Sequence, residues 1–201
     1  MGITIGSVCL ESPVLLAPMS GISDLPFRRL VRRHGVGLVM SEMIASGEML
    51  RATRRAKLKS MRGPNETPLA VQLAGTEPDI MAEAARLNEN RGAAVIDINF
   101  GCPVKKVVSK RAGSALMRNE VQAARILEAV VNAVRIPVTL KMRTGWDHSN
   151  RNAPRLAHIA EVSGIQMVTV HGRTRSQLFH GRSDWAFIRT VKEAVSIPVV
   201  A

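Results

Sequence analysis

The chain has 201 residues, of which 46% are hydrophobic, with no low-complexity tract. That suits one globular domain able to bury a core and excludes a disordered or fibrous class. Lys and Arg total 28 against 16 Asp and Glu, a formal charge of +12, which favours a polyanionic partner, nucleic acid first, over an arginine-rich surface that merely keeps the protein soluble.

In chain order, "GITIGSVCLESPV" reads as a short hairpin placed to plug the base of a sheet. Apolar runs follow at Val14–Pro18, Leu38–Met43, Leu69–Leu73, Ala94–Ile98, Val138–Met142, Met167–Val170 and Pro198–Ala201. Several are continuous rather than alternating, as in parallel strands covered on both faces. Between them the periodicity predicts helices over Pro78–Arg91, with Thr76 as N-cap, over Val121–Val134, and from Asp184 to Val195, with Ser183 as cap. Gly35, Gly92 and Gly164 each stand between a helical pattern and a strand, where a left-handed residue is wanted. Repeated helix, glycine and strand spell a series of βα units, and about seven strands in one such repeat favour a (β/α)8 TIM barrel over an open sheet. Because the seventh run stands at the last residues, the expectation is a barrel incomplete at its C-terminus, with unpaired strand edges.

No run reaches the roughly 18 apolar residues of a membrane span. No charged start leads into an apolar core as in a signal peptide. The two cysteines, Cys9 and Cys102, are far apart and in no CxxC, against a disulfide framework or thiolate metal site. A cytoplasmic location is the default reading.

In a βα barrel the active site lies beyond the C-terminal ends of the strands. There the sequence places Pro18, Met19 and Ser20; Ser41 and Glu42; Gln72; Asn99 with the Gly101-Cys102-Pro103 turn; Lys141 and Arg143; and His171 with Arg173. Singly, most of these have bland readings. A strand-end Gln or Asn is often a loop hydrogen-bonder, a lone His a satisfied structural one, a lone Cys an inert small apolar residue. Lys141 is harder to set aside, since a lysine inside a buried strand needs a polar or anionic partner. Lys105, Lys106, Lys110 and Arg111 suit either a solvated loop or phosphate contacts.

Together, "APMSGISDLPFRRL", "VQLAG", "DINFGCPVKKVVSKRAGSALM", "LKMRTGWD" and "VHGRTRSQLFHGRSDW" resemble the tRNA-dihydrouridine synthases of bacteria, from about residue 4 to the last. The resemblance implies an FMN-binding TIM-barrel catalytic domain over residues 1–201, truncated before the family's last flavin-phosphate segments and without its C-terminal helical tRNA-binding domain. It implies reduction of specific uridines in tRNA to 5,6-dihydrouridine, with NADPH or NADH reducing the flavin, and a monomer when full length. Carried across, Cys102 matches the family's proton donor. Pro18, Met19, Ser20, Gln72, Lys141 and His171 match positions at the flavin, and Asn99 a position near the target base. Lys105, Lys106, Arg143 and Arg173 are the basic residues expected at the substrate; no metal is expected. Two other readings stay open: an FMN barrel acting on a free small molecule, such as a dihydropyrimidine or dihydroorotate dehydrogenase, and an inactive RNA-binding remnant.

Overall fold

A strand buried on both faces needs apolar side chains pointing each way, unless one face looks into a polar interior. In a computed structural model, which describes residues 2–64 and 66–201, the strands take that second form. A hairpin, β1 (Ile3–Ile5) and β2 (Val8–Leu10), comes first. Then follow α1 (Leu25–Arg32), β3 (Val39–Met40), β4 (Ile44–Ala45), α2 (Ser46–Leu50), α3 (Arg54–Ser60), β5 (Leu69–Ala74) and α4 (Pro78–Asn90). Next come β6 (Val95–Phe100), α5 (Lys105–Val108), a 3-10 helix (Gly113–Arg118), α6 (Glu120–Val131) and β7 (Val138–Arg143). The series ends with α7 (Ala153–Val162), β8 (Val168–His171), α8 (Trp185–Glu193) and β9 (Val199–Val200). Neighbours pair in parallel in the order β3-β5-β6-β7-β8-β9, with β4 also on β5. This is the strand order of a βα barrel, each strand beside its successor.

Side chains alternate across the strands. Leu69, Val71, Leu73, Ile96, Ile98, Phe100, Leu140, Met142, Val168 and Val170 pack outward into one core with the helices. The inward set begins with a second apolar cluster, in which Ile5 and Leu10 of the hairpin meet Leu38, Met40, Ala70, Val95 and Met167. The hairpin therefore plugs the base of the barrel, as the sequence predicts. Above that plug the inward residues are Gln72, Asp97, Asn99, Thr139, Lys141, Arg143, Thr169 and His171, brought side by side by the register Gln72–Asp97–Thr139, Asn99–Lys141–Thr169 and Arg143–His171.

Two predicted strands take other forms. The Val14–Pro18 run makes only one bridge, Leu15 to Leu38. Pro13 and Pro18 bracket it and neither has an N–H to donate to a ladder. The Leu38–Met43 run splits into β3 and β4, because the Ser41 hydroxyl takes over the ladder bond from the Gln72 N–H at 3.1 Å. Two predicted caps shift by one residue. Glu77, not Thr76, is the N-cap of α4, and the Thr76 hydroxyl bonds the Glu77 carboxylate instead. Asp184, not Ser183, caps α8 by accepting the Phe187 N–H at 3.0 Å. Gly35, Gly92 and Gly164 sit at φ +79°, +86° and +94°, the left-handed role expected of them. Among the described residues, no helix is long and apolar enough to cross a membrane.

The plug has a measurable weight. Ile5 is fully buried among side chains of three strands and the segments leading into them. Ile5→Ala should lower stability by about 2–5 kcal/mol, the range for emptying such a site, read as a shift in the urea midpoint. A shift near zero would mean that the hairpin does not fill the barrel's base.

Candidate active site

The Gly-Cys-Pro turn follows β6 directly, and its geometry is set from below. Asn99 Oδ1 accepts the N–H of Cys102 at 2.9 Å and that of Gly101 at 3.2 Å. Its Nδ2 donates to Gln72 Oε1 at 2.9 Å. Gln72 Nε2 in turn donates to Asp97 Oδ2 at 2.7 Å, and the Thr139 hydroxyl donates to Asp97 Oδ1 at 2.6 Å. Across the turn, the Ser114 hydroxyl and N–H both donate to the Cys102 carbonyl, at 2.9 and 3.1 Å. Gly113, at φ +61°, packs so close that a Cβ there would lie 2.8 Å from that carbonyl oxygen. Cys102 is thus held from two sides, with its thiol free and half-buried at the mouth of the barrel.

Asn99 and Gln72, expected at base and flavin, are both buried, and each amide is engaged at both ends. Each NH2 group keeps one uncommitted N–H. Their first task in this fold is to hold the turn. Arg143, expected at the substrate, also serves as a structural cross-link. Buried under the turn, it donates to the carbonyls of Gly101 (2.9 Å), Thr174 (2.9 Å) and Leu178 (2.8 Å). A buried guanidinium has five donors to satisfy, and these carbonyls take three hydrogen bonds from it. Arg173 also turns to the protein, donating to the Gly181 carbonyl at 2.8 Å.

Lys141 stands beside Asn99 in the register, half-buried, with no ion pair among the described residues. Burial lowers its pKa, Asp97 opposes that, and Arg143 adds to it. Asp97 itself is pushed up to about 6 by burial, against the bonds from Thr139 and Gln72 and the charge of Lys141. His171 is pushed down to about 4 by burial and then by Arg143, Lys141 and Arg173, so it is neutral at pH 7. In the neighbouring row, the Thr169 hydroxyl is buried with no hydrogen-bond partner among the described residues.

Pro18, Met19 and Ser20 form the turn that leads into α1. Ser23 ties this turn together, its hydroxyl accepting the Met19 N–H at 2.9 Å and donating to the Met19 carbonyl at 3.1 Å. Glu42 Oε1 accepts the Gly21 N–H and lies 3.6 Å from Lys59. Arg28, fully buried, fixes the Ser23 carbonyl at 3.0 Å while paired with buried Glu66 at 2.5 Å. Lys105 and Lys106, in contrast, are exposed on α5 just beyond the cysteine. Sequence reasoning missed Asp97, Thr139, Ser114, Ser23, Arg28 and Glu66. An Asp inside the apolar run "VIDINF" and an Arg on the buried side of "LPFRRL" were the available signals.

The opposite shifts of Asp97 and His171 give opposite pH slopes. His171 has a depressed pKa, so its contribution to stability is present above pH 6.5 and lost as pH falls through about 4. Asp97 has a raised pKa, so its contribution is present below pH 3.8 and lost as pH rises through about 6. Asn at position 97 can turn its Oδ1 to Gln72 and its NH2 to the rotatable Thr139 hydroxyl, which keeps the relay. Asp97→Asn should therefore lose more stability than wild type between pH 7 and 4.5, and His171→Gln less. Urea midpoints at the two pH values decide it; parallel shifts in all three proteins would show that neither group titrates in this window.

Residues 15–201 match the family model described as dihydrouridine synthase (Dus). The chain is 60% identical over 200 residues to a "Probable tRNA-dihydrouridine synthase" of Rickettsia bellii (strain RML369-C), covering 99% of this chain and 61% of the relative. It is 50% identical over 199 residues to the tRNA-dihydrouridine synthase B of Pseudomonas aeruginosa, covering 99% of this chain and 60% of that protein. The chain thus spans about three fifths of the length of these curated relatives. Among solved structures, a histamine dehydrogenase from Rhizobium sp. 4-9 superposes with a TM-score of 0.66 at 10% identity, over 98% of this chain and 41% of that one, a likeness of fold alone. Because the family match covers residues 15–201, nearly the whole chain, the chain belongs to the dihydrouridine synthase family.

Proposed function

We propose that the protein containing this chain reduces uridines in tRNA to 5,6-dihydrouridine, with FMN as cofactor and NADPH or NADH as electron source. On this reading residues 1–201 are its catalytic barrel domain, working as a cytoplasmic monomer. The observation that carries the proposal is Cys102: a free thiol on a turn held by Asn99 and Ser114, at the mouth of a barrel whose upper interior is polar.

The residues at the mouth fit a flavin's polar edge. That edge offers carbonyl and ring-nitrogen acceptors and one N–H. Lys141 supplies an amine that makes no ion pair among the described residues, Gln72 an uncommitted N–H, neutral His171 a donor and an acceptor, and Thr169 a buried hydroxyl without a partner among those residues. Pro18, Met19 and Ser20 would lie along the ring. When bound and reduced, FMN supplies the hydride that goes to C6 of the uracil. The chain's own residues do the rest. Cys102 Sγ gives its proton to C5 and regains one from solvent, so that one hydride and one proton saturate the C5=C6 bond. Lys141 stabilises negative charge at the mouth. Asn99 holds the thiol's backbone and offers its remaining N–H toward the base. Lys105 and Lys106 meet the RNA backbone, and the target base leaves its stack at a cost of a few kcal/mol, least in a loop already unstacked.

Cys102→Ala should keep bound flavin and its reduction by NADPH, yet lose about 100-fold or more in dihydrouridine formed per tRNA under saturating reductant, the scale of a missing general acid. Cys102→Ser, a far weaker acid in the same place, should fall between. Wild-type turnover in Cys102→Ala would remove the thiol from the mechanism.

A further inference from the structure

Beside the cysteine turn, the loops after β5, β6 and β7 enclose a cavity of about 590 Å³. Lys110, Arg111, Arg118 and Trp146 line it, with Glu77 and Gln122. The wall is built rather than loose. Gln122 Nε2 donates to the Thr76 carbonyl at 2.7 Å, tying α6 to the loop after β5. Arg118 and Arg175 both stack over the Trp146 ring, their Cζ atoms 4.7 and 4.6 Å from its centroid.

Cations held on an aromatic face are fixed in place while their N–H donors stay available. Neither Arg118 nor Arg175, nor Lys110 or Arg111, makes an ion pair among the described residues, whereas Arg151 and Arg155 nearby pair with Asp184 and Glu120. Arg175 Nε is buried with no hydrogen-bond partner among the described residues. Two carboxylates stand near. Glu77 accepts the Thr76 hydroxyl at 3.2 Å. Asp147 accepts the hydroxyl and N–H of Ser149 and the N–H of Asn150, and its pKa is lowered by these bonds and, less, by Arg118. Three lining cations, Lys110, Arg111 and Arg118, against one lining carboxylate, Glu77, leave a surplus of positive charge with donors unspent. That is the chemistry of a phosphate site.

We infer that this cavity binds a backbone phosphodiester of the RNA strand beside the target uridine; the inference rests on the reading of the site as a tRNA uridine reductase. The run of cations selects a strand over a single phosphate group. Lys105 and Lys106 on α5, then Lys110 and Arg111, then Arg118 follow one another along the chain from the Cys102 turn to the cavity. A base delivered to Cys102 brings flanking phosphates over that line, while one terminal phosphate engages only one or two of its members. Trp146, already stacked by guanidinium groups, serves to hold them.

The test uses the flavin-loaded protein and bulk tRNA, with affinity measured against salt. Arg118→Gln with Lys110→Gln, both lining the cavity, should weaken binding about tenfold and make the slope of log affinity against log salt shallower by roughly 1.4, two contacts at about 0.7 each for a single strand. Flavin content and the rate of flavin reduction by NADPH should stay at wild type. If that pair disturbs folding, Lys110→Gln with Arg111→Gln, both exposed, should give a similar change in slope. An unchanged slope in a folded variant overturns the inference. So does a change confined to the KM for NADPH, which would assign the cavity to the reductant's phosphate. Wild-type protein that binds no tRNA would overturn the proposed function, and this inference with it; normal wild-type binding beside an unchanged variant overturns this inference alone.

Discussion

One buried acceptor, the Asp97 Oδ2 that takes a hydrogen bond from Gln72, fixes which way round the amides above it stand. Asp97 takes the NH2 end of Gln72. Gln72 must then present its oxygen to Asn99, and Asn99 its oxygen to the two N–H groups of the cysteine turn. An amide is ambiguous by itself, since its two ends have nearly the same shape. Anchored to a carboxylate, the pair of amides has one fully satisfied arrangement. The turn is therefore held by a buried acceptor oxygen two hydrogen-bonded side chains away.

That relay depends on the barrel's division of faces. Six-residue strands such as β6 put Ile96, Ile98 and Phe100 among the helices and Val95, Asp97 and Asn99 toward the axis. Polar groups in such an interior cost stability unless paired, and the pairing here runs across strands in register: Gln72 beside Asp97, Asp97 beside Thr139, Asn99 beside Lys141. A shift of one residue in any strand would turn the relay to the helices and a Leu or Ile inward. The hairpin below makes this tolerable. By filling the base with Ile5 and Leu10, it confines the polar rows to the end that opens on the loops.

The strands and their order were legible because each carries a run of apolar residues and each βα unit is punctuated by glycine. The failures were local and had local causes. The Val14–Pro18 run looked like a strand by composition but lies between prolines, and the second strand broke where the Ser41 hydroxyl replaced a backbone partner. Among site residues, position along the chain found the rim, but not what each side chain does there. Arg143 is expected at the substrate from its place on the rim, and the structure adds that it braces the cysteine turn. Its partners, the carbonyls of Gly101, Thr174 and Leu178, lie 31 to 42 residues away, out of reach of any local pattern. Asp97 was hidden for the same reason. Inside "VIDINF" it is an oddity until the register sets Gln72 and Thr139 on either side.

The mouth gathers more cations than the relay can neutralise. Lys141, Arg143 and Arg173 all raise the potential felt by His171, enough with burial to keep the imidazole neutral, while Asp97 is the acid that Lys141 feels. Arg143 is stabilised by carbonyl dipoles rather than by a carboxylate, so its charge still acts on its surroundings. A site left with net positive charge in a partly desolvated pocket favours whatever becomes negative inside it. The same excess runs outward along α5 to the Arg–Trp–Arg wall, where it is again unpaired. The structure thus spends its few buried carboxylates on geometry, Asp97 under the cysteine turn and Glu66 under the turn that leads into α1, and leaves the field at the opening to its cations.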